Sequence, residues 1–298
     1  MQPLISAQIE APPRLVAQNT ASLFAKRLGQ LLRHRVGCPG LLIISALCLI
    51  ALFAPLIAPH HPDEAYFDAI LSPPNAQFWF GTDDIGRDVL SRLIFGARVS
   101  LGIVLGAISL AFVIGSTIGV VSGYYGGWVD NVIMRIMDGL LAFPLLVLAL
   151  GIIAVLGPNL VNALIAIAII NIPGCARLVR GQVLTVRQLD FVQAARSMGA
   201  TDARIMASHV WPSVVGNVIV YMSLRSSSAL ITESSLAFLG LGAEPPTPTW
   251  GQILATGMQY WDAWWLSLFP GMTIFCAALA FNFLGDGLRD VLDTRLKS

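Results

Sequence analysis

Arg225 and Glu233 stand eight residues apart in an otherwise apolar stretch, which sets them about 80° apart around a helix. Ionisable groups at membrane depth are costly and as a rule face a cavity or a partner. Two readings stay open for them. They line a path and meet the termini of a zwitterionic solute, or they pair with neighbouring helices, with Glu233 near the outer surface. A second charged set, Asp83, Asp84, Arg87, Asp88 and Arg92, reads as a charged helix with Asp88 and Arg92 at i,i+4 spacing. His60 and His61 adjoin Asp63 and Glu64, but neighbouring histidines in a loop rarely hold one ion, so this reads as an ordinary loop. With only His34 and His209 besides, HExxH is absent. Gly119-Val120-Val121-Ser122-Gly123 is one residue longer than the GxSG of an intramembrane serine protease, and no intramembrane histidine offers a base. The only lysines, Lys26 and Lys297, follow no glycine-rich loop, which excludes a GxxxxGK[ST] nucleotide site. Cys38, Cys48, Cys175 and Cys276 show neither disulfide nor metal spacing and read as small apolar fillers.

The elements that must position these residues follow from composition. Of 298 residues, 56% are hydrophobic and 12% charged, and the mean hydropathy is +0.74. A soluble domain carries about 25% charged residues, so the chain reads as an all-α, multi-pass membrane protein. The net charge of +1 gives no sign of a nucleic-acid partner. Six stretches are long enough for a bilayer: Leu41–Ala58, Val99–Val121, Leu140–Leu156, Val161–Ala176, Val214–Leu241 and Leu266–Leu284. The first follows 40 residues and lacks a small-residue cleavage site, so it does not read as a cleaved signal peptide.

Arginine placement orients these spans. With the amino terminus inside, inner segments hold fourteen of the eighteen Lys and Arg residues. Outer segments hold Arg87, Arg92 and Arg98, and Arg225 lies in a span. Such a bias places both termini in the cytoplasm. The chain then divides into an inner tail (1–40), a first span (41–58), an outer segment (59–98), a transmembrane domain (99–290) and a short inner tail (291–298). Within the domain lie an inner loop at 177–212 and an outer loop at 242–265.

The inner loop is basic and helical in pattern. Asp190 and Gln193 fit a capping box. Phe191, Ala194, Ala195 and Met198 follow at helical spacing as one apolar stripe. Gly199 supplies a left-handed C-cap, and Thr201 or Asp202 caps a second helix leading to Pro212.

Gln193-Ala194-Ala195-x3-Gly199, with Pro212 thirteen residues after the glycine, resembles the EAA motif of ABC importer permeases. The family pattern is Glu-Ala-Ala-x3-Gly-x9-Ile-x-Leu-Pro, and this chain departs from it at Gln193, His209 and Trp211. The run from Gly81 to Leu93, Leu236 to Gly242 followed by Pro245 to Gly251, and Phe281 to Asp290 are similar to segments of the peptide/nickel permease family. Together they span roughly Phe80 to Leu296 in order. The resemblance is to the second, or C-type, permease of dipeptide, oligopeptide and glutathione importers. It implies a type I (MetI-like) permease fold in a bacterial inner membrane. It also implies a paralogous permease, two cytoplasmic ATPases that bind the ATP and Mg, and an outer solute-binding protein as partners, within membrane lipid. This chain itself would hold no cofactor and catalyse nothing. Asp190, Phe191, Gln193, Ala194, Ala195, Met198 and Gly199 would couple to an ATPase. Asp83, Asp84, Arg87, Asp88 and Trp250 would shape an outer gate or receive the binding protein. For Arg225 and Glu233 both readings stay open, a lining of the path or pairing with neighbouring helices.

Nickel or another small solute is the alternative cargo. A channel or secondary transporter is the alternative class, and it would show inverted repeats, which this sequence lacks.

Overall fold

The computed structural model describes residues 29–292. Among the described residues all regular structure is helical, apart from one isolated bridge between Thr82 and Asp88. The all-α class expected from the sequence is borne out. Most of the inner tail expected at 1–40, and nearly all of that at 291–298, lie outside the described residues.

Along the chain run α1 (Gly37–Leu52), α2 (Ala54–Ile57), α3 (Val89–Tyr125), α4 (Gly127–Leu141), α5 (Leu145–Leu156) and α6 (Leu160–Val186). They are followed by α7 (Asp190–Ser197), α8 (Asp202–Ile205), a π-helical turn at Met206–Val210, α9 (Trp211–Phe238), α10 (Trp250–Gln259) and α11 (Trp265–Leu292). The central pair is α3 and α6. Gly115, Gly119 and Gly123 sit four apart on α3, opposite Cys175, Val179 and Val183, four apart on α6. Since both sets ascend together, the two helices run parallel. A methyl group on Gly119 would lie 2.6 Å from Val179 Cβ, and one on Gly115 or Gly123 would lie 2.8 Å from Cys175 or Val183 Cβ. Small residues on one ridge thus let the two backbones approach, as between helices in a bilayer. α9 packs against both members of this pair, and α1 packs against α11. The loops at 58–88 and 239–264 gather at one end, the loop-rich end. The short helices of 187–210 form the opposite, short-helix end.

The six expected spans are not reproduced as six uninterrupted helices. α3, α6, the run Asp202–Phe238 and α11 are long and apolar enough to cross a membrane. The third expected span is a pair, α4 and α5, bent by 93°. Pro144 stands at the break, where it lacks an N–H and biases Phe143 away from helical geometry. The first is a 16-residue helix that ends before Phe53. α3 begins ten residues before the expected Val99, because Asp88 caps it through the Ser91 N–H at 2.8 Å. α6 runs through Pro173 to Val186, ten residues past the expected stop. Arg177, where the inner loop was expected to begin, is paired to Asp138 at 2.5 Å, and Arg180 one turn on is paired to Asp130 at 2.5 Å. The 36-residue inner loop accordingly shrinks to short helices between Val186 and Trp211.

Candidate functional site

At the short-helix end, α7 is bounded by Gly199 with φ +84°, the left-handed conformation expected there. The expected capping box does not form. Leu189 occupies the N-cap, Asp190 is the first helical residue, and the Gln193 amide donates to the Arg187 carbonyl at 2.9 Å instead. Neither Thr201 nor Asp202 makes a side-chain cap on α8. The apolar residues divide between two faces. Ala195 is 3% exposed and, with Val192, seats the helix on the protein's own core. Phe191, at 45%, and Met198, at 82%, project outward, and Ala194 is also exposed. Ala195 therefore serves packing within the chain, and Phe191, Ala194 and Met198 are what the helix offers to another surface.

Tyr124, at the end of α3, fastens this helix in place. Its hydroxyl accepts from Arg196 Nη2 at 2.9 Å and donates to Asp202 Oδ1 at 2.6 Å. One phenol thus holds residues on both sides of the Gly199 turn. Arg187 Nη1 donates to the carbonyls of Gly123 and Tyr124 at 3.0 and 3.1 Å. Beneath them, Asp130 accepts from Arg180 and from Ser122 Oγ, each at 2.5 Å. The reading of the inner loop alone missed Tyr124, because its partners lie 72 and 78 residues away.

At the loop-rich end, residues 82–88 form a turn instead of the expected charged helix. Asp83 accepts from the Ile85 and Arg87 N–H groups and from Arg87 Nε at 2.7 Å. Asp88 caps α3 and does not pair with Arg92 as the i,i+4 spacing suggested. Arg92 is buried, with Asp83 and Asp63 each 3.6 Å away and the Pro62 carbonyl accepting at 3.0 Å. Asp84 is half-buried at the edge of this turn. Trp250 is fully buried. Its indole N–H donates to the Leu93 carbonyl at 3.0 Å and its backbone N–H to Ser100 Oγ at 3.4 Å. It is a keystone between α3 and α10, turned away from any surface contact.

The two ionisable residues of α9 part company. Glu233 is 2% exposed and is held by the hydroxyls of Ser100 at 3.2 Å and Ser234 at 3.3 Å. It is locked into helix packing, where the same Ser100 hydroxyl also accepts from the Trp250 backbone N–H. Arg225 is half-buried, with Nε donating to the Tyr221 hydroxyl at 3.0 Å. Below it, a cavity of about 820 Å³ opens along α9 between α6 and α11, lined by Gln182, Ser213, Asn217, Tyr221, Leu224 and Arg289 among others.

Residues 115–298 match the model of the family described as binding-protein-dependent transport system inner membrane component. Residues 22–74 match the N-terminal TM domain of oligopeptide transport permease C. A dipeptide transport system permease protein DppC of Alkalihalophilus pseudofirmus is 42% identical over 298 residues, covering 100% of this chain and 98% of that protein. A di/tripeptide transport system permease protein DppC of Pseudomonas aeruginosa is 44% identical over 281 residues, 92% of this chain and 93% of that one. A glutathione transport system permease protein GsiD of Pectobacterium atrosepticum is 42% identical over 269 residues, 90% and 89% of the two. The inward-facing MetNI methionine ABC transporter has a chain of similar fold, with TM-score 0.55 and 20% identity over 68% of this chain and 97% of that one.

Proposed function

The chain belongs to the family of binding-protein-dependent transport system inner membrane components, and from that premise we propose that it is the permease subunit of an ATP-driven importer of short peptides. A second, paralogous permease completes the path, two ATPases bind ATP and Mg on the cytoplasmic side, and an extracytoplasmic binding protein delivers the cargo. Peptide cargo is favoured over nickel or another small solute by identity of 42–44% to permeases named for dipeptides, di/tripeptides and glutathione. The short-helix end is cytoplasmic in this reading, in keeping with the arginine bias, and α7 is the contact with one ATPase.

The observation that carries the mechanism is the orientation of α7. Met198 points away from the body and Phe191 lies exposed along one side of its stack on His209, while Tyr124, Arg196 and Asp202 clamp the helix to α3. Apolar side chains projecting from a helix that is itself held rigidly suit docking into a groove. Movement of that groove on ATP binding would reach α3 through Tyr124 and α6 through the close glycine contacts. Packed elements of this kind switch between discrete arrangements instead of deforming continuously. ATP hydrolysis itself belongs to the partner subunits.

Labelled dipeptide uptake into cells carrying the complete system tests this reading, with and without the gene for this chain. Uptake should require the chain, the binding protein and ATP together. Uptake that persists without ATP hydrolysis would place the protein among secondary carriers. A cysteine at Glu244 should react with an impermeant reagent added outside and one at Thr201 should not, and the reverse pattern overturns the orientation.

A further inference from the structure

α9 carries a polar stripe that the rest of the described chain leaves uncovered. Ser213, Asn217, Tyr221, Arg225, Ser228 and Thr232 recur at steps of three and four and so share about one third of the helix circumference. Ser213 and Thr232 donate to the carbonyls four residues back at 2.8 and 2.9 Å, a bond that lets a hydroxyl face lipid. Asn217 and Arg225 have no such provision. A guanidinium has five N–H donors, and at Arg225 the Tyr221 hydroxyl accepts from only the one on Nε. No carboxylate of the described residues comes within 4.0 Å of it. Arg225 is also at the middle of the 28-residue α9, about 20 Å of helix from either end. A charge at that depth must face water or a partner. The cavity of about 820 Å³ begins below it, at Tyr221 and Leu224, with Arg289 in its lining and no acidic side chain.

Resting on the reading of this chain as a permease, we propose that Arg225 receives a carboxylate of the passing solute. The path then favours zwitterions and anions with a free carboxylate over cations. Tyr221 orients the group: its hydroxyl takes Nε, and its ring lies 5.5 Å from the guanidinium carbon. The Nη1 and Nη2 edge is left to meet both oxygens of a carboxylate in a bidentate pair. Gly174 on α6 keeps room for this arrangement, since a methyl group there would lie 3.4 Å from Arg225 Nη2 and closer still to the Tyr221 hydroxyl. One cation without a permanent partner can hold a carboxylate and release it, whereas a built ion pair would leave no site to offer.

The test uses the complete transporter in proteoliposomes, with Arg225→Gln and Arg225→Lys compared. In the first arm the native cysteines are replaced, and a cysteine at Ser228 is modified by sulfonate-bearing and quaternary-ammonium thiosulfonates. A unit charge about 10 Å away in water changes each rate about twofold in opposite senses, so Arg225→Gln should lower the sulfonate-to-ammonium rate ratio about fourfold. Arg225→Lys should keep the ratio, and an unchanged ratio in Arg225→Gln overturns the proposal. In the second arm, dialanine uptake should fall about tenfold in Arg225→Gln. It should fall less, about threefold, in Arg225→Lys, which keeps the charge and loses the bidentate edge, with ATPase stimulation by the loaded binding protein kept within about twofold. Equal losses in both variants, or a parallel loss of ATPase stimulation, make Arg225 a packing residue and overturn the proposal. If wild-type dialanine uptake needs neither ATP nor the binding protein, the permease reading fails instead, and the cysteine ratio still decides on Arg225.

Discussion

The loop-rich and short-helix ends of this protein both gather charged and aromatic residues, and they turn them in opposite directions. At the loop-rich end Asp83, Arg92, Trp250 and Glu233 all face inward, each within reach of partners from other segments. At the short-helix end the polar groups of Arg196, Asp202 and Tyr124 hold a helix whose large apolar side chains face out. The first arrangement makes an end that keeps its shape. The second makes an end whose shape is kept while Phe191 and Met198 stay exposed. Similar residue types therefore carry different meanings, and burial, not identity, separates them.

Substitutions that should harm one end and spare the other sharpen that contrast. The largest effect is expected for Trp250→Ala, which empties a fully buried site and removes the bond to Leu93. It should cost about 3–5 kcal/mol, seen as a fall in the melting temperature of the detergent-solubilised complex. Ala195→Glu should act in the same way despite lying on α7, because position 195 is buried in the chain's own core. Met198→Glu, three residues on, should leave melting unchanged and lower ATPase co-purification about tenfold or more. Similar behaviour of the 195 and 198 variants would break the distinction between seat and grip. Gly199→Val comes next. Its site is open, with nothing within 4 Å of an added Cβ, so the penalty is the left-handed backbone alone, about 1–2 kcal/mol. Uptake should fall severalfold per ATP hydrolysed, and Gly199→Asn should restore most of it, since asparagine tolerates this conformation. The smallest effect is expected for Tyr124→Phe, which removes two hydrogen bonds and keeps the ring. A loss of about 1–2 kcal/mol should appear as a twofold to fivefold lower ratio of uptake to hydrolysis at unchanged expression.

Much of this was legible in the chain itself. Apolar windows gave the helical class, and the spacing of Gln193, Ala194, Ala195 and Gly199 located the surface helix because a short motif is a local property. Helix limits were less legible where tertiary partners override local signals. Arg177 opened the expected inner loop, yet it pairs with Asp138, thirty-nine residues distant, and stays inside α6, and the Asp88 cap drew α3 outward past charges that looked like a separate helix. Direction around a helix axis was the weakest inference. Arg225 and Glu233 share one helix, and only packing reveals that Glu233 is sealed by Ser100 while Arg225 stays open.

α3 has 37 residues and no internal proline, whereas α6 and α11 contain Pro173 and Pro270. Its length is about 55 Å, nearly twice the roughly 30 Å of hydrocarbon it has to cross. Tyr124 stands at one tip and the Asp88 cap at the other, with unbroken helix between them. Such a rod has leverage. A tilt of about 5° about one tip carries the other through about 5 Å, a displacement comparable to one helical turn. A modest shove on the surface helix would thereby be magnified, without any joint to absorb it, into a movement at the far face large enough to part or close neighbouring side chains.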